Sequence, residues 1–176
     1  MLETLNEEII QQVRDSVDEE RLLETATVLV GIPSPTRSAA DVADRLAELL
    51  SDEGFEVERP VAGYEASPAV VARFHSGQPG RVLQFNGHLD TVHLPFVPPR
   101  IEAGVMYGSG VSDMKGGISA AVEAMRVLRD GGMLSAGGVM LTAHDLHEVP
   151  WGDGTQVNAL IAEGFIGDGV LLPEYH

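Results

Sequence analysis

Apolar positions along this chain recur first at helical spacing and then at strand spacing. In "NEEIIQQVRDSV", Ile9, Ile10 and Val13 form one stripe, and Asp18 stands where it would cap a second helix through "EERLLETATVLV". The stretch "GIPSPTRS" then ends helical structure, because its two prolines and its glycine cannot continue a helix. A third helix is expected in "AADVADRLAELLSDEG", where Val42, Leu46, Leu49 and Leu50 share a face and Gly54 supplies the stop. Ser38 with Asp41 resembles a weak capping pair for that helix.

From residue 55 the pattern changes. "FEVER", "AVVARF" and "RVLQFN" are short, rich in Val and Phe and bounded by Gly or Pro, so they predict strands. "TVHLPFVPP" reads as a proline-rich loop and "RIEAGVMYGSG" as a hairpin around Ala103-Gly104. The helix in "GGISAAVEAMRVLRDGG" places Ile118, Ala121, Val122, Met125 and Leu128 on one face. "GGVMLTA" follows as a buried strand, "GTQVNALIAEG" as a short helix and "GDGVLLP" as a last strand. Alternating strands and helices of these lengths predict an α/β layered fold with a mixed, partly parallel sheet flanked by helices, in one domain spanning residues 1–176. The last strand is expected to end at Leu172, with His176 as the final residue. An α/β unit normally returns through a helix, so the architecture reads as truncated.

Composition narrows the partners. Eleven Lys and Arg against 27 Asp and Glu give a net charge of −16, which repels nucleic-acid phosphate and anionic membrane surfaces. Lys115 is the only lysine. Without cysteine, any metal must be held by nitrogen and oxygen. The acidic start "MLETLNEEII" lacks the basic region of a signal peptide, and no apolar run reaches the ~20 residues of a membrane span, so a soluble cytoplasmic protein is expected.

The chemistry gathers at predicted strand ends, where open α/β sheets bind ligands. After "RVLQFN" come His88 and Asp90, and after the hairpin comes Asp113. After "GGVMLTA" come His144, Asp145, His147 and Glu148, and after "GVLLP" come Glu174 and His176. A zinc-like ion takes neutral imidazole and carboxylate, and a ligating histidine passes its other N–H to a fixed acceptor. His88 and Asp90 suit those two roles. A carboxylate can also bridge two ions, and Asp113 lies in "GSGVSDMKGG", where glycines let backbone approach closely. Other readings are weaker. "GSGVSD" has Asp113 where a dinucleotide loop needs its third glycine, and "HEVPW" has Trp151 where a helical zinc-protease motif needs its second histidine. His75 and His93 read as solvated loop residues.

"GHLDTV" at 87–92 and "YGSGVSDMKGG" at 107–117 resemble the two signature motifs of the di-zinc aminoacylase and carboxypeptidase G family, which includes acetylornithine deacetylase and succinyl-diaminopimelate desuccinylase. With "LVGIPSPT" and the opening helices, the resemblance covers nearly the whole chain. It implies a zinc-exopeptidase-like fold and metal-dependent hydrolysis of an amide bond in an N-acyl amino acid or small peptide. It also implies that His88 binds the first metal, Asp90 orients it, Asp113 bridges two ions, Glu148 binds the second and Glu174 completes the first ion's set. His147 falls where the family has a glutamate general base, so it is either the base or an additional ligand, with Asp145 or Glu148 as base in the second case. Two zinc ions belong to the intact pattern, with Co2+ able to substitute, and one ion is an alternative for this chain. The family's lid or dimerisation domain and its final histidine ligand are not expected within these residues, and a homodimer is expected only of an intact form. The competing expectation is a catalytically silent fragment that binds at most one metal ion or pairs with a separate C-terminal part.

Overall fold

The computed structural model describes residues 7–174. Its elements run α1 (Glu7–Asp15), α2 (Glu19–Val30), α3 (Ala40–Asp52), β1 (Glu56–Glu58), β2 (Val70–His75), β3 (Val82–His88), β4 (Arg100–Glu102), β5 (Val105–Tyr107), α4 (Gly116–Asp130), β6 (Gly138–His144), α5 (Thr155–Ala162) and β7 (Gly169–Leu171). The main sheet has the order β1-β2-β6-β3-β7, with β4 and β5 as a separate hairpin. Strands β1 and β2 pair antiparallel, as do β2 and β6, whereas β3 pairs parallel with both β6 and β7. The expected mixed sheet is therefore what the chain forms.

Strand β6 lies at the centre, and all seven of its residues are buried. A strand covered on both faces carries apolar residues without alternation, which is how "GGVMLTA" reads. Val139, Leu141 and Ala143 face a core built with Leu29 of α2, Val42, Leu46 and Leu50 of α3, and Ile118, Val122 and Met125 of α4. Met140 faces a smaller cluster with Val71 and Leu160 of α5. Helices thus cover the sheet on both sides.

Asp18 caps α2 as expected, accepting from the Arg21 N–H at 3.0 Å. The start of α3 differs from expectation. Ala39, not Ser38, is the cap residue and no cap side chain bonds there. The amides of Arg37 and Ala39 instead donate to the Asp145 carboxylate at 2.9 and 3.1 Å. An acid distant in sequence thus holds the cap-residue amide and the loop just before the helix, a pairing no local pattern reveals. His75 is the last residue of β2 rather than a loop residue, and it is exposed.

The strand ends are level where it matters. His88, the last residue of β3, pairs in register with His144, the last of β6. The "GIPSPTRS" segment braces the chain beyond β3: Ser34 Oγ donates to the Leu89 carbonyl at 2.7 Å, Thr91 N–H to Ser34 at 2.8 Å and Thr36 N–H to Thr91 at 3.1 Å. Its irregular backbone, set by the prolines, leaves those groups free for the neighbouring loop.

Candidate metal centre

Four segments deliver side chains to the carboxyl end of the parallel strands. His88 ends β3, and His147 and Glu148 lie in the turn after β6. Asp113 lies in the tight turn Val111–Lys115 that leads into α4, entered through Gly110 in the left-handed conformation (φ 81°). Glu174 follows β7. It can approach because Gly117 has no side chain: a Cβ there would stand 1.7 Å from the Pro173 carbonyl oxygen.

Two groups of donors form. His88, Asp113 and Glu148 place one ligand atom each within 4.8 Å of one another, and so do His88, His147 and Glu174. The five side chains named by sequence as ligands or proton-transfer groups beside Asp90 are thereby brought together. His88 is 1% exposed; its Nε2 lies 2.9 Å from Asp113 Oδ1 and its Nδ1 lies 2.9 Å from the Asp90 carbonyl. The His147 ring stacks on His88 with centroids 4.1 Å apart and planes 13° apart. Asp90, fully buried, accepts from the backbone N–H of His147 at 3.1 Å and of Glu148 at 2.9 Å. One aspartate thus fixes the His88 ring from one side and the turn bearing His147 and Glu148 from the other. His176 lies outside the described residues.

The charges of this cluster are out of balance. Burial pulls the His88 imidazole down, but Asp90 and Asp113 outweigh it and hold the group above its ordinary range. Acceptors face both ring nitrogens, the Asp90 carbonyl at Nδ1 and the Asp113 carboxylate at Nε2. Burial pushes Asp90 up, yet His88, the Glu148 amide and Thr36 keep it below the usual carboxylate range. Glu148 is pushed up to about 7 by burial and by the Asp113 carboxylate beside it. Burial brings His144 down to about 4, so this imidazole is neutral near pH 7. Imidazole and carboxylate donors, facing one another with surplus negative charge and no thiolate, fit a zinc-class cation.

These motifs find their counterparts in known proteins. A model for peptidase family M20/M25/M40 matches residues 84–162, the stretch from β3 through α5 that carries His88, Asp90, Asp113, His147 and Glu148. Residues 84–162 belong to peptidase family M20/M25/M40. A succinyl-diaminopimelate desuccinylase of Alkalilimnicola ehrlichii is 36% identical over 143 residues, covering 76% of this chain and 37% of that enzyme. One from Methylobacterium radiotolerans is 36% identical over 119 residues, covering 61% and 30%. The chain spans about a third of the length of these curated relatives. Its fold is similar to that of a tripeptidase from Staphylococcus aureus subsp. aureus Mu50, with a TM-score of 0.73 at 21% identity over 91% of this chain and 44% of that one.

Several features of the site have no mark in the sequence. A cavity of about 430 Å³ opens beside the donors, lined by Val92, Leu94, Val97, Arg100, Asp113 and Glu148 among others. The proline-rich loop and the hairpin form its wall, and neither has a periodicity that announces a pocket. Lys115, fully buried, donates from Nζ to the Ile32 carbonyl at 2.7 Å, and burial lowers it to about 8 against the pull of Asp90. Its position within "SDMKGG" was the only signal available. Asp145, a candidate base by sequence, has both carboxylate oxygens engaged by the amides of Arg37, Ala39 and Leu146. That leaves it bracing the loop before α3.

Proposed function

We propose that this chain carries the catalytic face of a metal-dependent amidohydrolase that cleaves an amide bond in an N-acyl amino acid or small peptide. The observation that supports this most directly is the convergence of His88, Asp113, His147, Glu148 and Glu174 at one end of the sheet, beside a cavity bordered by Asp113 and Glu148. The desuccinylase relatives and the tripeptidase-like fold point to the same class of reaction.

The donor set suits zinc, with cobalt as a substitute, held by side chains drawn from His88, Asp113, Glu148 and Glu174. A zinc-class ion supplies Lewis-acid polarisation of water and of an amide carbonyl. Asp90 keeps the His88 ring turned so that Nε2 faces the cluster. Glu148, with its carboxyl near neutrality at about 7, is poised to take a proton from the attacking water and return it to the leaving nitrogen. The cavity beside it receives the scissile amide. A cytoplasmic location is part of this reading, in keeping with a cysteine-free acidic chain.

The test is metal-dependent release of free amino acid from N-acetyl and N-succinyl substrates by the purified chain. Hydrolysis that requires zinc or cobalt and disappears in Glu148→Gln and His88→Ala is the expected result. Zinc binding with no hydrolysis would instead select the silent-fragment reading.

A further inference from the structure

The cavity beside the donors carries a charge that the metal-hydrolase reading leaves unused. Among the described residues, Arg100 of β4 is the only basic side chain that lines it, in company with the apolar Val92, Leu94 and Val97 and with the acids Asp113 and Glu148. A chain of net charge −16 with its acids gathered at this strand end repels an anionic ligand group. A guanidinium in the same cavity therefore matters most to a ligand that carries a carboxylate.

The guanidinium is held ready for one. Arg100 and Tyr107 are partners in the register of the hairpin, and Arg100 Cζ lies 4.3 Å from the centroid of the Tyr107 ring. Stacking on a ring covers the flat face of a guanidinium and leaves its N–H groups in plane for a second partner. Nη1 pairs with Glu102, two residues along the strand, whereas Nε and Nη2 have no partner among the described residues. Those two nitrogens share one edge of the fork, the arrangement that meets both oxygens of a carboxylate at once. Glu102 is exposed, so its pair with Arg100 restrains the group without neutralising that edge.

We propose that Arg100 is a specificity-determining residue that receives a substrate carboxylate remote from the scissile amide, so that the cavity selects N-acyl amino acids or peptides bearing such a carboxylate over neutral ones. The inference rests on the metal-hydrolase reading above, which places the scissile amide at the acidic side of the same cavity. The carboxylate stands either at the end of the acyl group, as in a half-amide of a dicarboxylic acid, or on the amino acid. Arg100 reads the same two oxygens in both cases, and the apolar lining accepts the methylenes that join them to the amide.

Binding of small amides in the presence of zinc, followed by NMR titration of the backbone amides, tests the assignment without turnover. N-succinylglycinamide against N-succinamylglycinamide changes only the charge at the acyl end, and N-acetylglycine against N-acetylglycinamide changes only that of the amino acid. In at least one pair the carboxylate should bind about fivefold or more tighter than its amide, because a charge-assisted bond is strong but this one is partly screened by solvent. The pair that shows the preference identifies the carboxylate that is read. Arg100→Gln should reduce the preference below about twofold, whereas Glu102→Gln, which removes a competing charge, should enlarge it. A preference that survives in Arg100→Gln would place the carboxylate on the ion instead and overturn the proposal, as would its absence in the parent chain. Arg100 is exposed on the hairpin, so the variant leaves the core in place, and its spectrum reports the fold directly. Arg100-dependent binding without hydrolysis would keep this assignment and remove the hydrolase reading; hydrolysis without an Arg100-dependent preference would do the reverse.

Discussion

Two clusters of charged side chains, one in the helical layer and one at the strand ends, are built on opposite plans. In the helical layer Arg21 of α2 and Arg126 of α4 grip Glu123, Arg126 also pairs with Glu53, and Asp130 takes Arg21 and Arg129. Three guanidiniums meet three carboxylates, and Glu123 is held below the usual carboxylate range because these partners overcome its burial. At the strand ends, Asp90, Asp113, Glu148 and Glu174 gather around His88 and His147, and one carboxyl is driven up to about 7. The first cluster is complete within the protein. The second is short of positive charge, which is what a structural network avoids and a cation site requires.

The largest effect that breaks this contrast is removal of Glu123. Glu123, 2% exposed, is the carboxylate shared by Arg21 and the buried Arg126, and its loss leaves Arg126 with Glu53 alone and Arg21 with Asp130 alone, so Glu123→Ala should destabilise the fold by about 3 kcal/mol. That corresponds to a fall in Tm of roughly 6–12 °C for a chain of this size. A loss under about 1 kcal/mol in urea unfolding would show that the helical network contributes little.

Acid probes His144, at the end of the central strand beside the site cluster. His144 has a folded-state pKa of about 4, below its ordinary value of 6.5. The unfolded chain therefore binds more protons between those values, and stability is full above pH 6.5 and falls as pH drops toward 4. The loss approaches about 3 kcal/mol. His144→Asn should flatten that part of the stability profile; an unchanged slope would place its origin elsewhere.

Zinc should act on one cluster only. At 100 times its Kd it should add about 2.7 kcal/mol to stability, through binding to the folded state. The Tm increment should survive in Glu123→Ala and vanish in His88→Ala. An equal increment in His88→Ala would mean that zinc stabilises through some other surface.

The smallest effect carries the opposite sign from the first. Because the Glu148 carboxyl is raised to about 7 from 4.5, the metal-free fold loses stability as pH rises through that interval. Glu148 is half-buried and still partly screened by solvent, so Glu148→Gln should gain less than about 1 kcal/mol at pH 8 and nothing near pH 4. One carboxylate removal thus weakens the fold and the other strengthens it. A clear loss at pH 8 for Glu148→Gln would make the site cluster a structural network after all.

Much of this arrangement was legible in the chain. The stripe Val42, Leu46 and Leu50 predicted the buried face of α3, and the unbroken apolar run of β6 predicted a strand covered on both sides. "GHLDTV" and "YGSGVSDMKGG" single out His88, Asp90 and Asp113, which the fold brings to one strand end. Ser38 is not the cap: α3 starts one residue later, after Ala39, whose amide is held by Asp145 more than a hundred residues away. Local pattern carries no record of such a partner.

The division follows from the range of the interactions. Periodicity, proline and glycine act within a few residues, so the order of elements, the mixed sheet and the residues offered as candidate donors follow from sequence alone. Which donors face one another depends on strand register, on the close approach that Gly117 permits to Pro173, and on Asp90 bridging two loops. Those contacts join residues dozens of positions apart, and only the folded chain brings His147 against His88 and Glu148 against Asp113.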